Sequence, residues 1–236
     1  MSEAGEKLAS VPAGELQVVD DVPAAFTALV EQVAGAAIAR SGRCRIALSG
    51  GATARACYER LARSTEVDWV RLECFLGDER CVPAGDEDAN QRLVREALVD
   101  RVPVGEFHPM DCERPAAYAA RIEEALPLDL VHLGLGPDGH TASLFPGSPG
   151  LEAPVGTLVI RTADPSGRNP HERLSLTLGA IARCEVAVFT VSGEAKHDAL
   201  HRVLAGEDLP ASRVRAGRVL WLCDRDALGE DLGRVR

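Results

Sequence analysis

The stretch RIALSGGATARACYERLAR, residues 45–63, decides the fold, because its pattern of apolar residues changes from that of a strand to that of a helix. Residues 45–48 are an apolar run of the length expected for a buried strand. Residues 49–53 supply the glycines and small side chains of a tight turn, and residues 55–63 predict a helix. A strand followed by a short turn and a helix is the first half of a βαβ unit, which predicts a parallel sheet.

The same alternation of short apolar strands and amphipathic helices continues on both sides of this stretch. It predicts the α/β class, as a single domain (1–236) with a mostly parallel sheet covered by helices on both faces. Residues 1–15 are polar and are expected to be a flexible N-terminus. Helices are predicted over 24–40, 87–100, 116–126 and 194–204, and strands over 70–76, 128–133, 158–160, 174–176, 186–191 and 219–223.

The composition of the chain argues against two classes of binding partner, nucleic acids and membranes. The chain has 236 residues with a formal net charge of −10, which argues against nucleic acid because duplex binding needs a basic face. No apolar run approaches the roughly 18 residues of a membrane span, and the N-terminus has no signal-peptide pattern, so no membrane partner is expected. The seven cysteines form no C-x-x-C pair. An odd number without zinc spacing favours reduced thiols in a cytoplasmic protein over a disulfide framework.

Polar clusters follow four of the predicted strands, where the ligand site of a parallel sheet lies. Residues 49–53 suit an anion at a helix N-terminus, but taken alone they are equally well a simple turn. Asp78 and Arg80 suit a hydroxyl and a phosphate, although such charge runs are usually solvated loops. Lys196 lies in the first turn of a helix, against the helix dipole, so it is either a surface residue or reaches back toward an anion.

The remaining cluster, GLGPDGHTASLFPGS at 134–148, matches the dinucleotide pattern G-x-G-x-x-G. A dinucleotide loop would lead into a long helix, whereas Pro146 and Pro149 leave room for little more than one helical turn. Asp138 would also direct a negative charge at the pyrophosphate. A catalytic loop is more coherent, because His140 can act as a base near neutral pH and a carboxylate two residues away can orient it.

One further pattern concerns metals. His197 and His201 stand four residues apart and imitate part of H-E-x-x-H. No third ligand cluster accompanies them, so no metal site is predicted.

Taken together, the clusters resemble the 6-phosphogluconolactonase family. The similarity spans residues 46 to 196, with the segments in the family's order. The matching segments are ALSGGAT, FLGDERCVP followed by Asn90, LGLGPDGHTASLFPGS, RLSLTLGAI and VSGEAK.

This resemblance implies a Rossmann-like fold shared with glucosamine-6-phosphate deaminases. It implies hydrolysis of 6-phospho-D-glucono-1,5-lactone to 6-phospho-D-gluconate, the second step of the oxidative pentose phosphate pathway, with no required cofactor. The expected partner is that small sugar-phosphate lactone, and the protein is expected to be a monomer or small homo-oligomer. His140 corresponds to the general base and Asp138 to its partner. Candidates for substrate and phosphate contacts, from the resemblance and the clusters together, are Ser49, Gly50, Gly51, Thr53, Asp78, Arg80, Arg173 and Lys196.

Two alternatives remain open at this point. The first is a glucosamine-6-phosphate deaminase/isomerase, whose related loop resembles D-G-H-I-A-F-N-E-P and uses its Glu to support the histidine. Counting from His140, this chain has Phe145 at the Glu position, which favours the lactonase. The second is a non-catalytic sugar-phosphate sensor on the same fold, for which an intact Asp138 and His140 pair has little purpose.

Overall fold

The computed structural model describes residues 9–229, which contain two sheets. The strands are β1 (Ala9–Val11), β2 (Gly14–Val18), β3 (Cys44–Leu48), β4 (Leu72–Leu76), β5 (Asp78–Arg80), β6 (Glu106–His108), β7 (Leu128–Leu133), β8 (Val159–Thr162), β9 (Arg173–Leu176), β10 (Cys184–Val191) and β11 (Arg218–Cys223). The α-helices are α1 (Val22–Ser41), α2 (Ala52–Leu61), α3 (Asn90–Val94), α4 (Pro115–Ala125), α5 (Leu178–Ile181), α6 (His197–Leu204) and α7 (Arg225–Leu228).

The larger sheet confirms the predicted α/β class. Its strand order is β1-β2-β11-β10-β7-β3-β4-β6, and every neighbouring pair is parallel except β1 with β2. All six residues of β7 are buried, which requires cover on both faces of the sheet. The chain adds strands to one side after β3 and to the other side after β7. The crevice between the ends of β3 and β7 is therefore the switch point at which such sheets bind ligands.

The smaller sheet is antiparallel, with strand order β5-β9-β8. It corrects the prediction for the Asp78 and Arg80 cluster, which the sequence indicated as a loop after a strand. Pairing places Arg80 of β5 directly opposite Arg173 of β9, and opposed residues of an antiparallel pair share a face of the sheet. The sheet therefore brings two arginines together that are far apart in sequence.

Helix α1 shows how the sequence sets an element's ends. The Asp21 side chain accepts a hydrogen bond from the Ala24 N–H at 2.9 Å, and Gly42 ends the helix with φ of 80°, in the left-handed region that favours glycine. By length and hydropathy α1 is apolar enough to cross a membrane. The prediction from apolar runs missed this, but the same properties suit a helix that packs on a core, and Phe26 and Val30 are fully buried here.

Two other predictions need correction at the level of single elements. Residues 9–15, expected to be flexible, form β1 and the start of β2, which pairs with β11. Residues 1–8 of that expected flexible segment lie outside the described residues. The helix predicted over 87–100 is shorter, because α3 is followed by a π-helical turn at Arg95–Val99.

A disulfide joins Cys81, which follows β5, to Cys112, which follows β6. The preference for reduced thiols is therefore wrong at these two positions. The spacing gave no sign of the pair, because the two cysteines are 31 residues apart in sequence and meet only through the sheets. The other five cysteines are buried, and burial raises the pKa of each of their thiols.

Replacing both Cys81 and Cys112 by Ser is expected to lower the free energy of unfolding by about 3 kcal/mol, because the bridge restricts the unfolded chain. Urea unfolding of the wild type with and without reductant measures the effect. The Cys44→Ser variant, which removes a buried thiol and no bridge, should keep the reductant dependence of the wild type. Equal stability of oxidised and reduced wild type would contradict the prediction.

Candidate active site

A cleft of about 290 Å³ opens at the switch point, beside the ends of β3, β7 and β10. Residues from all four predicted clusters line it, so the fold brings together segments that are up to 147 positions apart, from Ser49 to Lys196. Asp138 lies behind His140 rather than on the lining. The predicted site residues on the lining are Ser49, Gly50, Gly51, Thr53, Asp78, Arg80, His140, Arg173 and Lys196.

Asp138 and His140 form a hydrogen-bonded pair. The Nδ1 atom of His140 lies 2.5 Å from Oδ1 of Asp138, which also accepts the His140 backbone N–H at 3.1 Å. Burial works against ionisation of Asp138, but the hydrogen bonds and charge of His140 outweigh it and lower the pKa of this carboxyl. With Nδ1 bound to the carboxylate, Nε2 is the ring nitrogen left for chemistry in the cleft.

The loop between β7 and His140 is a tight turn that depends on glycine. The Gly136 N–H donates to the His140 carbonyl at 2.8 Å, and the Gly139 N–H donates to the Gly136 carbonyl at 3.0 Å. A Cβ at Gly136 would lie 2.1 Å from Nδ1 of His140, so the ring packs directly on this Cα. No long helix follows. Within the described stretch from His140 to the start of β8, the one helical segment is a 3₁₀ turn at Pro149–Glu152, as the two prolines predicted.

Phe145 supports the far side of the histidine. It is fully buried, with its ring centroid 4.7 Å from that of His140. The guanidinium carbon of Arg173 lies 5.6 Å from the Phe145 centroid, within range of a cation–π contact. The position where the deaminase loop has a carboxylate is therefore a hydrophobic wall shared by His140 and Arg173.

Three cationic side chains line the cleft. Nε of Arg80 and Nε of Arg173 are buried and find no hydrogen-bond partner among the described residues. Burial lowers the pKa of Arg173 and also that of Lys196, whose Nζ donates to the Leu135 carbonyl at 2.7 Å. Lys196 thus reaches back over the cleft instead of extending into solvent. The partly desolvated cations retain donors that an anion can use.

The N-terminus of α2 supplies a further anion-binding element. Gly51 precedes the helix with φ of 99° and no side chain caps the first turn. The exposed backbone N–H groups of that turn carry the positive end of the helix dipole. Gly50 has no room for a side chain, because a Cβ there would lie 1.9 Å from Oδ1 of Asn90.

Asp78 belongs to a buried hydrogen-bond network. Its Oδ2 accepts from the Ser143 hydroxyl at 2.6 Å, and its Oδ1 accepts from Nδ2 of Asn90 at 3.3 Å. Asn90 lines the cleft and was not among the predicted site residues. In the sequence, the one feature that could have identified Asn90 as a site residue was its position shortly after the GDERCVP segment.

Glu79 fixes the backbone around this network. Its carboxylate accepts N–H bonds from Arg80, Asn90 and Gln91 at 2.7 to 2.8 Å. Burial raises the pKa of Glu79 to about 7, and the three N–H bonds oppose the rise. The sequence gave no role to this residue, which ties β5 to the start of α3.

A second buried network lies beneath the Ser49 loop. The Tyr58 hydroxyl accepts the Ser49 N–H at 2.7 Å and lies 2.7 Å from Nδ1 of His132, whose Nε2 lies 2.8 Å from the Thr190 hydroxyl. Burial lowers the pKa of His132 to about 3, so its ring is neutral at physiological pH. The network holds the loop in place and was missed because its members are spread over four elements.

No group of three or more potential ligands that could hold a metal ion occurs in residues 9–229. The rings of His197 and His201 are 4.2 Å apart, and Nε2 of His201 lies 2.7 Å from the Leu228 carbonyl. The i, i+4 histidines are therefore part of the packing between α6 and α7.

Known proteins resemble this chain over most of its length. A 6-phosphogluconolactonase from a Synechocystis species is 39% identical over 217 residues, which are 83% of this chain and 88% of that protein. The crystal structure of 6-phosphogluconolactonase from Thermotoga maritima has a TM-score of 0.79 at 29% identity, covering 89% of this chain and 98% of that one. A monomeric glucosamine-6-phosphate deaminase shares the fold, with a TM-score of 0.73 at 17% identity over 90% of this chain and 98% of its own.

The family comparison agrees with these similarities. The family described as glucosamine-6-phosphate isomerases/6-phosphogluconolactonase matches residues 18–221, which include both sheets except β1, residues 14–17 of β2 and the last two residues of β11. The match also covers the whole cleft lining. The chain therefore belongs to the glucosamine-6-phosphate isomerase/6-phosphogluconolactonase family.

Proposed function

We propose that the protein is an enzyme that hydrolyses 6-phospho-D-glucono-1,5-lactone to 6-phospho-D-gluconate, in the oxidative pentose phosphate pathway. The observation that carries the proposal is the Asp138 and His140 pair in a cleft that three cations line. The 39% identical relative from Synechocystis, named 6-phosphogluconolactonase, supports it.

His140 is the proposed general base. Asp138 accepts the Nδ1–H, which leaves the Nε2 lone pair to take a proton from water as that water attacks C1 of the lactone. The carboxylate stabilises the imidazolium that forms. When the tetrahedral intermediate collapses, the bond from C1 to the ring oxygen breaks and His140 returns the proton to that oxygen. The reaction consumes one water and needs no cofactor. The carboxylic acid that forms loses its proton to solvent at neutral pH, which gives 6-phospho-D-gluconate.

Arg80, Arg173 and Lys196 are the proposed contacts of the phosphate and of the developing oxyanion. The unpartnered Nε atoms of the two arginines supply directional donors, and the first turn of α2 adds backbone N–H groups. Holding the phosphate fixes the lactone carbon near His140, so part of the binding energy is used to orient the substrate for attack by water. Ser49, Gly50, Gly51 and Thr53 contribute through the backbone and hydroxyls of that loop.

The deaminase alternative is less well supported by the site. Phe145 is buried against the His140 ring, so no carboxylate is available there to assist sugar ring opening. The fold itself does not discriminate, because the deaminase structure shares it. The test uses purified protein with each substrate. Acceleration of lactone hydrolysis above the spontaneous rate supports the proposal, and consumption of glucosamine 6-phosphate without that acceleration refutes it.

Arg80→Ala and Lys196→Ala are each expected to raise KM for the lactone about 10-fold or more, with a smaller change in kcat, because each removes a partner of the remote phosphate. Steady-state kinetics corrected for spontaneous hydrolysis give both constants. Arg63→Ala is the matched control, because it removes an equal charge from an exposed position at the other end of α2. Unchanged KM in both cleft variants would remove these residues from the phosphate site.

We propose further that the protein acts in the cytoplasm on a small molecule, without nucleic-acid or membrane partners, as a monomer or small homo-oligomer. The acidic net charge of −10 supports the first exclusion. Disulfides are uncommon in reducing compartments, so the Cys81–Cys112 bridge is the feature to check in the cell. Alkylation of free thiols before lysis, followed by mass spectrometry, determines its state there, and light scattering determines the oligomeric state.

A further inference from the structure

Asn90 is held in one orientation by its neighbours. Its backbone N–H donates to Glu79 at 2.7 Å, and its Nδ2 donates to the backbone carbonyl and to Oδ1 of Asp78, at 3.0 and 3.3 Å. Turning the amide over would place its oxygen against those two acceptors, which is unfavourable. The network therefore fixes which amide atom is Oδ1 and where it points.

That Oδ1 atom is a buried acceptor without a partner. Asn90 is 2% exposed, and its Oδ1 finds no hydrogen bond among the described residues. The side chain lines the cleft, and Oδ1 packs against Gly50, where a Cβ would stand only 1.9 Å from it, so glycine at position 50 leaves room for this acceptor. Burying an unpaired polar atom costs stability, so the site favours a ligand that brings a donor.

The chemistry of the substrate determines which group fits. The phosphate and the lactone carbonyl have only acceptors facing a binding site at neutral pH, and Asp78 beside Asn90 repels the phosphate further. The ring hydroxyls are the donors of the substrate. We propose that Asn90 is a specificity-determining residue whose Oδ1 accepts a hydrogen bond from one ring hydroxyl of the lactone, a role that rests on the proposed function.

Asn90 would thereby select hydroxylated sugar lactones against analogues that lack that hydroxyl. A site built to pair with a hydroxyl rejects the deoxy analogue strongly, because the protein atom is left buried and unpaired. Arg80 and Lys196 give no such selection, since they bind a phosphate that all these substrates share.

The test compares the parent lactone with three analogues, each lacking one of its ring hydroxyls. In the wild type, one analogue is expected to lose about 10-fold or more in kcat/KM. Asn90→Ala is expected to lose a similar factor with the parent lactone and to discriminate no further against that analogue. Ser143→Ala is the matched control, because Ser143 also binds Asp78 but does not line the cleft, so its effect should be the same for all four substrates.

The outcomes separate the inference from the function on which it rests. Hydrolysis of the parent lactone by the wild type with equal kcat/KM for all three analogues overturns the role of Asn90 and leaves the proposed function standing. An Asn90→Ala variant that keeps the wild-type discrimination does the same. A wild type that does not hydrolyse the parent lactone overturns both. The wild-type comparison does not depend on whether any variant folds.

Discussion

His140→Ala is expected to lower kcat for lactone hydrolysis by about 10²- to 10⁴-fold while KM changes little. General base catalysis by a positioned imidazole typically accelerates a reaction by about this factor, because without it the attacking water must lose its proton to bulk solvent. KM should be retained because the proposed phosphate contacts are Arg80, Arg173 and Lys196, and none of them is changed. The rate of spontaneous hydrolysis must be subtracted, because it sets the lowest enzymatic rate that the assay can detect.

The pH dependence gives this prediction a second readout. The lowered pKa of Asp138 keeps its carboxylate ionised from pH 5 upward, so protonation of Asp138 does not limit the rate there. The pKa of Glu79, which burial raises to about 7, means that this carboxylate takes up a proton as the pH falls through 7. A fall in kcat below pH 7 that persists in His140→Ala would therefore belong to the Glu79 network and not to the base. A variant with wild-type kcat would exclude His140 as the base.

Gly136→Ala is expected to lower kcat by about 10²-fold or more although the changed residue has no functional group. The added Cβ would lie 2.1 Å from Nδ1 of His140, so either the ring or the loop has to move. Either movement breaks the alignment of the ring with Asp138, and small misplacements at a reacting centre cost about this factor. Steady-state kinetics and the thermal midpoint, measured together, separate this loss from unfolding.

Gly35→Ala is the matched control for this prediction. Gly35 lies in α1, away from the cleft lining, and nothing lies within 4 Å of the Cβ that alanine would add there. It should therefore cost much less activity than Gly136→Ala. Equal kinetics in the two variants would mean that the contact between Gly136 and the His140 ring does not matter for catalysis.

The elements with a strong local signal could be predicted from the sequence. Strand β7 has the predicted bounds, 128–133, because six consecutive buried residues form a recognisable apolar run. The turns after β3 and β7 were equally clear, since glycine-rich segments followed apolar ones. Lys196 follows β10, at the edge of the sheet where ligands bind, but its residue pattern left a surface position equally open, and the family resemblance made it a candidate contact.

The missed features depend on contacts between distant segments. Strand β5 is three charged residues whose partner, β9, is more than 90 positions away, so no local pattern indicates it. The same reason applies to the Cys81–Cys112 bridge. Glu79 and Asn90 looked like members of a polar stretch, and only the fold shows that both are buried and hydrogen-bonded to one another.

The opposed arginines of the small sheet have a consequence for the empty protein. Arg80 and Arg173 face each other across β5 and β9, and burial together with the charge of Arg80 lowers the pKa of Arg173, while the charge of Asp78 opposes the shift. Like charges directly opposed in a sheet repel, so this sheet carries an electrostatic cost whenever the cleft holds no anion. A dianion bound at both arginines, as proposed for the substrate phosphate, would replace this repulsion by two attractions. Binding of a phosphorylated ligand would then stabilise the folded protein, and its resistance to unfolding would depend on the concentration of that ligand.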